Sequence, residues 1–372
     1  MKILLLSTHF NLGGIGIYMF SLAKGLVQKG HTVFIASCGG DLVAKLESIG
    51  ARHFVIDIKT KSEISPKVFF ARPVLSRIIK ENDIEIIHAH TRVTQVLAEA
   101  VAKSTGTPFV TTCHGFFKPR LFRRIFPCWG QTCIAISEAV REHLVNDLRF
   151  KKEAIVVVHN GIELNRFSPD KFSQQQKDQS RSGYGLKLNA PLIGTVARFS
   201  SVKGQCFLIS AMKEVVRQVP EAQLLLVGEG PEKEALVSQV GELKLEDNVF
   251  FGSATMDTTV PLSIMDIFVF PSLNEGLGLA IIEAQAMELA VIASDVGGIY
   301  TVVQDGVNGL LVHPGDPHEL AEAIFKLLNN KKLAQELARQ GREQALRRFD
   351  LDQMVDGIEQ VYLKNSRQAV RN

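Results

Sequence analysis

At 372 residues the chain is about twice the usual single-domain length, so two cores of roughly 150 to 200 residues each are expected. Hydrophobic residues make up 46% and charged residues 22%, with 29 Gly and 13 Pro, which excludes collagen-like, disordered and disulfide-scaffold classes. The net charge is +3, yet residues 1–165 hold 21 Lys+Arg against 13 Asp+Glu and the remainder 21 against 26, so the halves differ in partner chemistry.

The first apolar run, Ile3 to Leu6, ends at once in Ser7, Thr8 and His9. It is too short for a signal-peptide core or a membrane span, so a cytoplasmic chain is expected. Gly13, Gly14 and Gly16 follow, ahead of a helical pattern from Ile17 to Gln28. Glycines there let backbone N–H groups approach a phosphate at a helix N-terminus, although a plain tight turn accounts for them as well. A nicotinamide-cofactor site does not fit, because Met19 stands where a third glycine belongs and the second strand ends in Cys38 rather than an acid.

Further strands are expected at Thr32 to Ala36, Ile84 to His88, Phe109 to Thr112, Cys133 to Ile136 and Ile155 to Val158, with a helix at Val93 to Lys103. This βαβ alternation implies a parallel sheet. His88 and His90 have the same-face spacing of a metal pair but read as strand and edge residues. Cys38, Cys113, Cys128, Cys133 and Cys206 include no C-x-x-C, so neither a zinc site nor a disulfide framework follows. The stretch Phe116 to Pro127 carries Phe117, Lys118, Arg120, Phe122, Arg123 and Arg124 with no acid. It suits either the interface of an anionic bilayer or an acceptor-binding loop whose aromatics fold inward. Single-stranded nucleic acid is disfavoured by the near-neutral total charge.

Residues 168–189 are polar and lack apolar periodicity, which reads as a linker between domains at 1–167 and 190–350. The second half repeats the alternation at Leu192 to Ala197, Gln223 to Val227, Asn248 to Phe251, Ile267 to Phe270 and Ala290 to Ala293. Ligands of such sheets sit beyond the carboxyl ends of the strands, so two of them facing one another would enclose a cleft. Arg198 and Lys203 leave the end of the first of these strands and should project over that edge, the former as a planar fork and the latter as a point charge for phosphate. After Ile267 to Phe270 comes Glu275-Gly276-Leu277-Gly278, with Glu283 eight positions past Glu275. Two acids in this spacing, with glycines opening a helix, offer a cradle for a diphosphate and acceptors for hydroxyls; a core ion pair is the plainer use of Glu283. The closing segment 351–372 reads as a helix that returns to the first domain. Asp350-Leu351-Asp352 spells a metal-binding D-x-D, but at a helix start it serves better as a cap.

Gly13-Gly14, Thr112-Cys113-His114-Gly115, His159-Asn160-Gly161-Ile162, Arg198 with Lys203-Gly204, Gly228-Glu229-Gly230-Pro231 and Glu275 to Glu283 occur in an order that resembles the retaining glycosyltransferases of family 4. The resemblance implies an α/β chain of GT-B architecture, with two Rossmann-like domains, the first holding the acceptor and the second a nucleotide sugar. It implies that Glu275 binds donor-sugar hydroxyls and Glu283 the ribose, that Gly276, Leu277 and Gly278 give backbone donors, and that Arg198 and Lys203 hold the diphosphate near Gly14. It sets His114 beside the donor sugar. The expectation is sugar transfer, with UDP favoured, to a glycan or lipid-linked acceptor in envelope or lipopolysaccharide assembly, with no metal and no other cofactor. The alternative is a nucleotide-sugar epimerase or hydrolase of the same architecture. Tyr300-Thr301 stands where many members carry Pro-Glu, so the sugar does not transfer by analogy.

Overall fold

The short apolar runs become the strands of two separate parallel sheets. The computed structural model describes residues 1–119, 123 and 125–369. The chain divides into unit 1, Met1–Gly161 with Leu351–Asn372, and unit 2, Ile162–Asp350.

In unit 1 the strands are β1 (Lys2–Leu6), β2 (Thr32–Ser37), β3 (Arg52–Val55), β4 (Ile86–Ala89), β5 (Phe109–Cys113), β6 (Thr132–Ala135) and β7 (Ile155–Val157). Their order is β3-β2-β1-β4-β5-β6-β7. Parallel strands covered on both faces need apolar side chains on both, which is why β1 reads as an unbroken KILLL. The helices Pro66–Glu81 and Arg92–Thr105 press Leu75, Ile78, Leu97 and Val101 onto Leu4, Leu6 and Ile87 on one face.

The helix Gly14–Gln28 packs against the terminal helix Leu351–Ala369. Gly25 permits the close approach, since a Cβ there would stand 2.5 Å from Val355 Cγ2. Lys29 reaches Asp356 at 2.5 Å and Glu359 at 2.8 Å, and Met354, Val355, Ile358 and Tyr362 are buried.

Unit 2 holds β8 (Leu192–Val196), β9 (Gln223–Val227), β10 (Val249–Gly252), β11 (Ile267–Phe270), β12 (Ala290–Ser294) and β13 (Leu310–Val312), in the order β10-β9-β8-β11-β12-β13. Its core joins Leu208 and Met212 of the helix Gln205–Gln218, and Leu320 and Ile324 of Pro317–Asn329, to Leu224, Leu226, Val269 and Ile292.

The segment 168–189 is not a linker, and the division falls after Gly161. Ser173 caps the helix Gln174–Gly183 in a reciprocal capping box with Gln176. The buried Arg181 guanidinium then donates to the carbonyls of Leu188, Ala190 and Ile264 at 3.0, 2.7 and 2.8 Å and pairs with Asp266 at 3.1 Å. One satisfied cation, rather than an apolar stripe, fastens this helix, so periodicity gave no sign of it. The strands β3 and β13, absent from the sequence reading, each have a neighbour on one side only; β3 is four residues of mixed polarity, RHFV, and β13 is apolar, LLV, but only three residues long. Among the described residues no helix is long and apolar enough to cross a membrane.

Candidate active site

In unit 2 the sheet order reverses between β8 and β11, and the loops that follow these strands meet beyond their carboxyl ends. Leu273 N–H donates to the Val202 carbonyl at 2.7 Å. Gly204, at φ 66°, allows this contact, because a Cβ would lie 2.0 Å from the Pro271 carbonyl oxygen. Gly228 and Gly230 bring the turn after β9 onto the same loop, where a Cβ would fall 2.0 Å from the Ala197 oxygen and 2.1 Å from that of Phe199. The buried Gln205 amide donates to the Arg198 carbonyl at 3.0 Å, which fixes the backbone under an exposed Arg198 side chain. Among the described residues no carboxylate pairs with that guanidinium.

Lys203 and Glu275 form an ion pair. The Lys203 ammonium stands 4.9 Å from the centre of the Phe270 ring, and the two side chains are 24% and 17% exposed, so the pair is shielded yet reachable. Glu275 also accepts the Gly276 N–H at 3.2 Å, and its carbonyl takes the Gly298 N–H at 2.8 Å. That last bond ties the acid to the turn carrying Tyr300. Gly276, Leu277 and Gly278 are buried, and Gly278, at φ 91°, opens the helix Leu279–Ala286. Among the described residues no backbone carbonyl receives the Leu277 or Gly278 N–H. Glu283 lies farther along this helix, half-buried, where Thr258 Oγ1 donates to it at 2.8 Å. Burial pushes its carboxyl up to about 7, against the lowering effect of Thr258 and the nearby Arg166. Two cations, unused N–H groups at a helix start and two carboxylates thus share one sheet edge. That set can bind a diphosphate and accept hydrogen bonds from sugar or ribose hydroxyls.

In unit 1 the reversal lies between β1 and β4. Gly13 and Gly14 begin the helix Gly14–Gln28, and a Cβ on either would have nothing within 4 Å, so the helix start is open. Gly16 is the glycine that packing demands, since its Cβ would meet the Asn11 oxygen at 2.0 Å.

His114, after β5, meets His90, after β4, through a 3.2 Å contact between His114 Nε2 and His90 Nδ1. Tyr18 packs edge-on to His114 at 4.7 Å. His88 lies beneath, bonded to Tyr362 Oη at 2.6 Å and Thr112 Oγ1 at 2.7 Å. Burial lowers the pKa of all three imidazoles, that of His114 to about 3, so they are neutral at physiological pH. Neutral rings fix a tautomer relation, in which one of His90 and His114 donates and the other accepts. The sequence reading gave His88 and His90 no part beyond the strand and its edge. The link from His90 to His114 crosses 24 residues, and Tyr18 and Tyr362 carried no motif. A recess of about 350 Å³, lined by His9, Asn11, Cys38, Asp57, Lys59 and Lys67 among others, opens near the ends of β1 to β3.

Within 116–127, Phe117 is turned inward. Its ring lies 4.8 Å from the Arg123 guanidinium carbon and 6.1 Å from the Trp129 ring, and its N–H donates to His143 Nε2 at 2.9 Å. Arg123 donates to the carbonyl of the exposed Lys118 at 3.0 Å. Arg120, Phe122 and Arg124 lie outside the described residues. Asp350 directly precedes the helix Leu351–Ala369, and among the described residues no three His, Cys, Asp or Glu side chains are grouped to hold a metal ion.

Two family descriptions match the chain: Glycosyltransferase Family 4 over residues 12–166 and Glycosyl transferases group 1 over residues 176–344. The chain belongs to glycosyltransferase family 4. Its fold is GT-B, with two Rossmann-like units. This glycosyltransferase is 25% identical over 368 residues to an N-acetyl-alpha-D-glucosaminyl L-malate synthase of Bacillus anthracis, covering 95% of this chain and 94% of the relative. It is 25% identical over 304 residues to an Escherichia coli UDP-Gal:alpha-D-GlcNAc-diphosphoundecaprenol alpha-1,3-galactosyltransferase, covering 78% of each. Among solved structures, the Anabaena protein Alr3699/HepE, crystallised with UDP and glucose, aligns with a TM-score of 0.85 at 23% identity, over 97% of this chain and 99% of that one.

Proposed function

We propose that this glycosyltransferase moves a sugar, with retention and without a metal, from a UDP-sugar to a glycan or lipid-linked acceptor of envelope assembly. The observation that carries the reading is the Lys203–Glu275 pair beside Arg198 and the open N–H groups of Leu277 and Gly278, all at one switch point. Arg198 and Lys203 neutralise the departing diphosphate, and the glycine-rich helix start adds N–H donors, so leaving-group stabilisation is the main catalytic term. Glu275, held by Lys203 and the Gly276 N–H, keeps a fixed carboxylate for the donor-sugar hydroxyls. Glu283 takes the ribose diol, and the neutral His114 of unit 1, oriented by His90, keeps the role that the family resemblance implies. The acceptor is assigned to unit 1, whose recess carries Lys59, Lys67 and Asn11. The name of the Escherichia coli relative gives UDP-Gal as donor and a diphosphoundecaprenol acceptor, which supports a UDP donor here and leaves the transferred sugar to residues such as Tyr300.

The test is a melting-temperature panel of UDP- and GDP-sugars with chelator present. A UDP-sugar at 100 times its Kd adds about 2.7 kcal/mol of stability, and Lys203→Ala should abolish that gain and lower kcat at least about a hundredfold. A Lys203→Ala enzyme with full transfer activity would sink the assignment, as would a donor shift seen only with magnesium. Donor turnover that needs no acceptor would instead favour the epimerase or hydrolase.

A further inference from the structure

We infer that the outer face of the helix Pro66–Glu81, together with the exposed pair Ile125 and Phe126, is a docking surface for an anionic lipid bilayer. The inference goes beyond the transfer reading and does not depend on it. The helix is apolar on two sides. Val68, Ala71, Leu75, Ile78 and Ile79 are buried and account for its place in the fold. On the other side Phe69 and Phe70 are 66% and 70% exposed, and Val74 and the preceding Ile64 are exposed as well. Folding explains the first stripe and gives no reason for the second, since adjacent phenylalanines in water are a cost that a bound surface would relieve.

The second piece of the surface is brought beside the first by one guanidinium. Arg92 pairs with Glu63 at 2.7 Å and donates to the Phe126 carbonyl at 2.7 Å and to that of Pro127. Ile64 and Phe126 are therefore bracketed by the same side chain. Every exposed large apolar residue of unit 1 among the described residues falls in these segments except Val55 on the edge strand β3. Phe117, the sequence candidate for the same task, packs inward instead.

Charge decides the occupant. Residues 57–81 carry Lys59, Lys61, Lys67, Arg72, Arg77 and Lys80 against Asp57, Glu63 and Glu81, and Glu63 is engaged by Arg92. Lys67 pairs with Asp57 at 2.7 Å, while Lys61, Arg77 and Lys80 stand exposed without a partner carboxylate among the described residues. Exposed rings flanked by long cationic side chains match a bilayer interface, where rings enter the acyl boundary and ammonium groups extend to lipid phosphates.

The test sediments the full chain with vesicles of phosphatidylcholine and of phosphatidylcholine mixed with phosphatidylglycerol, at low and high salt. We expect binding to the anionic vesicles only, weakened by salt. Phe69→Ser with Phe70→Ser should cut it about tenfold or more, and each of Lys61→Glu, Arg77→Glu and Lys80→Glu about fivefold or more. The melting temperature without any ligand should stay near the parent's in these variants, which shows them folded and keeps this result separate from the transfer reading. Equal binding to both vesicle types overturns the proposal, as does binding indifferent to Phe69 and Phe70. Self-association of the free protein through these two residues, with no vesicle binding, would assign the face to a second copy and also overturn it.

Discussion

In the proposed ribose-binding role, Glu283 would couple donor binding to pH. Its carboxyl rises from 4.5 to about 7 because burial penalises the charge more than Thr258 relieves it. A ribose diol donates hydrogen bonds to the ionised form, so binding requires loss of the proton. Donor affinity should therefore fall up to about tenfold per unit as the pH drops below about 7, and Glu283→Gln should flatten the profile. The stability sign follows from the same shift. A carboxyl whose pKa is higher folded than unfolded favours folding most below 4.5, loses that contribution as pH rises to about 7, and is level above. Glu283→Gln should thus melt higher than the parent near pH 8. Calorimetric titration of UDP-sugar from about pH 5.5 to 8 checks the first point; an unchanging Kd would remove Glu283 from the ribose role. The spacings of Glu275 with Glu283 and of Arg198 with Lys203 are local, so each pair stood out in the sequence, whereas the ion pair of Lys203 with Glu275 spans 72 residues and did not. The imidazole pair of His90 and His114 did not either, because strand pairing across the sheet, rather than sequence proximity, brings them together.

At the level of elements, two loops form the site only because glycine leaves room for them. Gly204 is left-handed, at φ 66°, and its missing Cβ is occupied by the Pro271 oxygen. Gly204→Ala should cost about 1–3 kcal/mol in strain and push the β8 loop off the β11 loop, so Lys203 loses Glu275. The expected result is a lowered melting temperature and a donor shift that disappears; an alanine variant with both intact would show that the loops do not depend on this contact. Most strands were readable from their apolar runs, whereas β3 escaped because its RHFV is of mixed polarity and β13 because three apolar residues are too short a run to stand out. The helix Gln174–Gly183 escaped for a different reason, since its anchor is the single buried guanidinium of Arg181.

For the whole molecule, unit 1 is completed by the far end of the chain. The helix Leu351–Ala369 seats Val355 in the space left by Gly25 and puts Tyr362 Oη on His88. A chain ended at Asp350 should lose the thermal transition of unit 1 while keeping a donor-induced shift in unit 2, as calorimetry would show. A truncated protein with both transitions intact would mean that this helix is dispensable to the fold. By itself the sequence determined the two alternating βα patterns, the family and which residues are candidates for the site, because hydrophobic period and motif spacing are local properties. Only the tertiary structure decided where one unit ends and the next begins, which histidines touch, and which phenylalanines face solvent. Those depend on contacts between residues far apart in the chain, such as Arg92 with Phe126 and Tyr362 with His88, and periodicity along the chain carries no record of them.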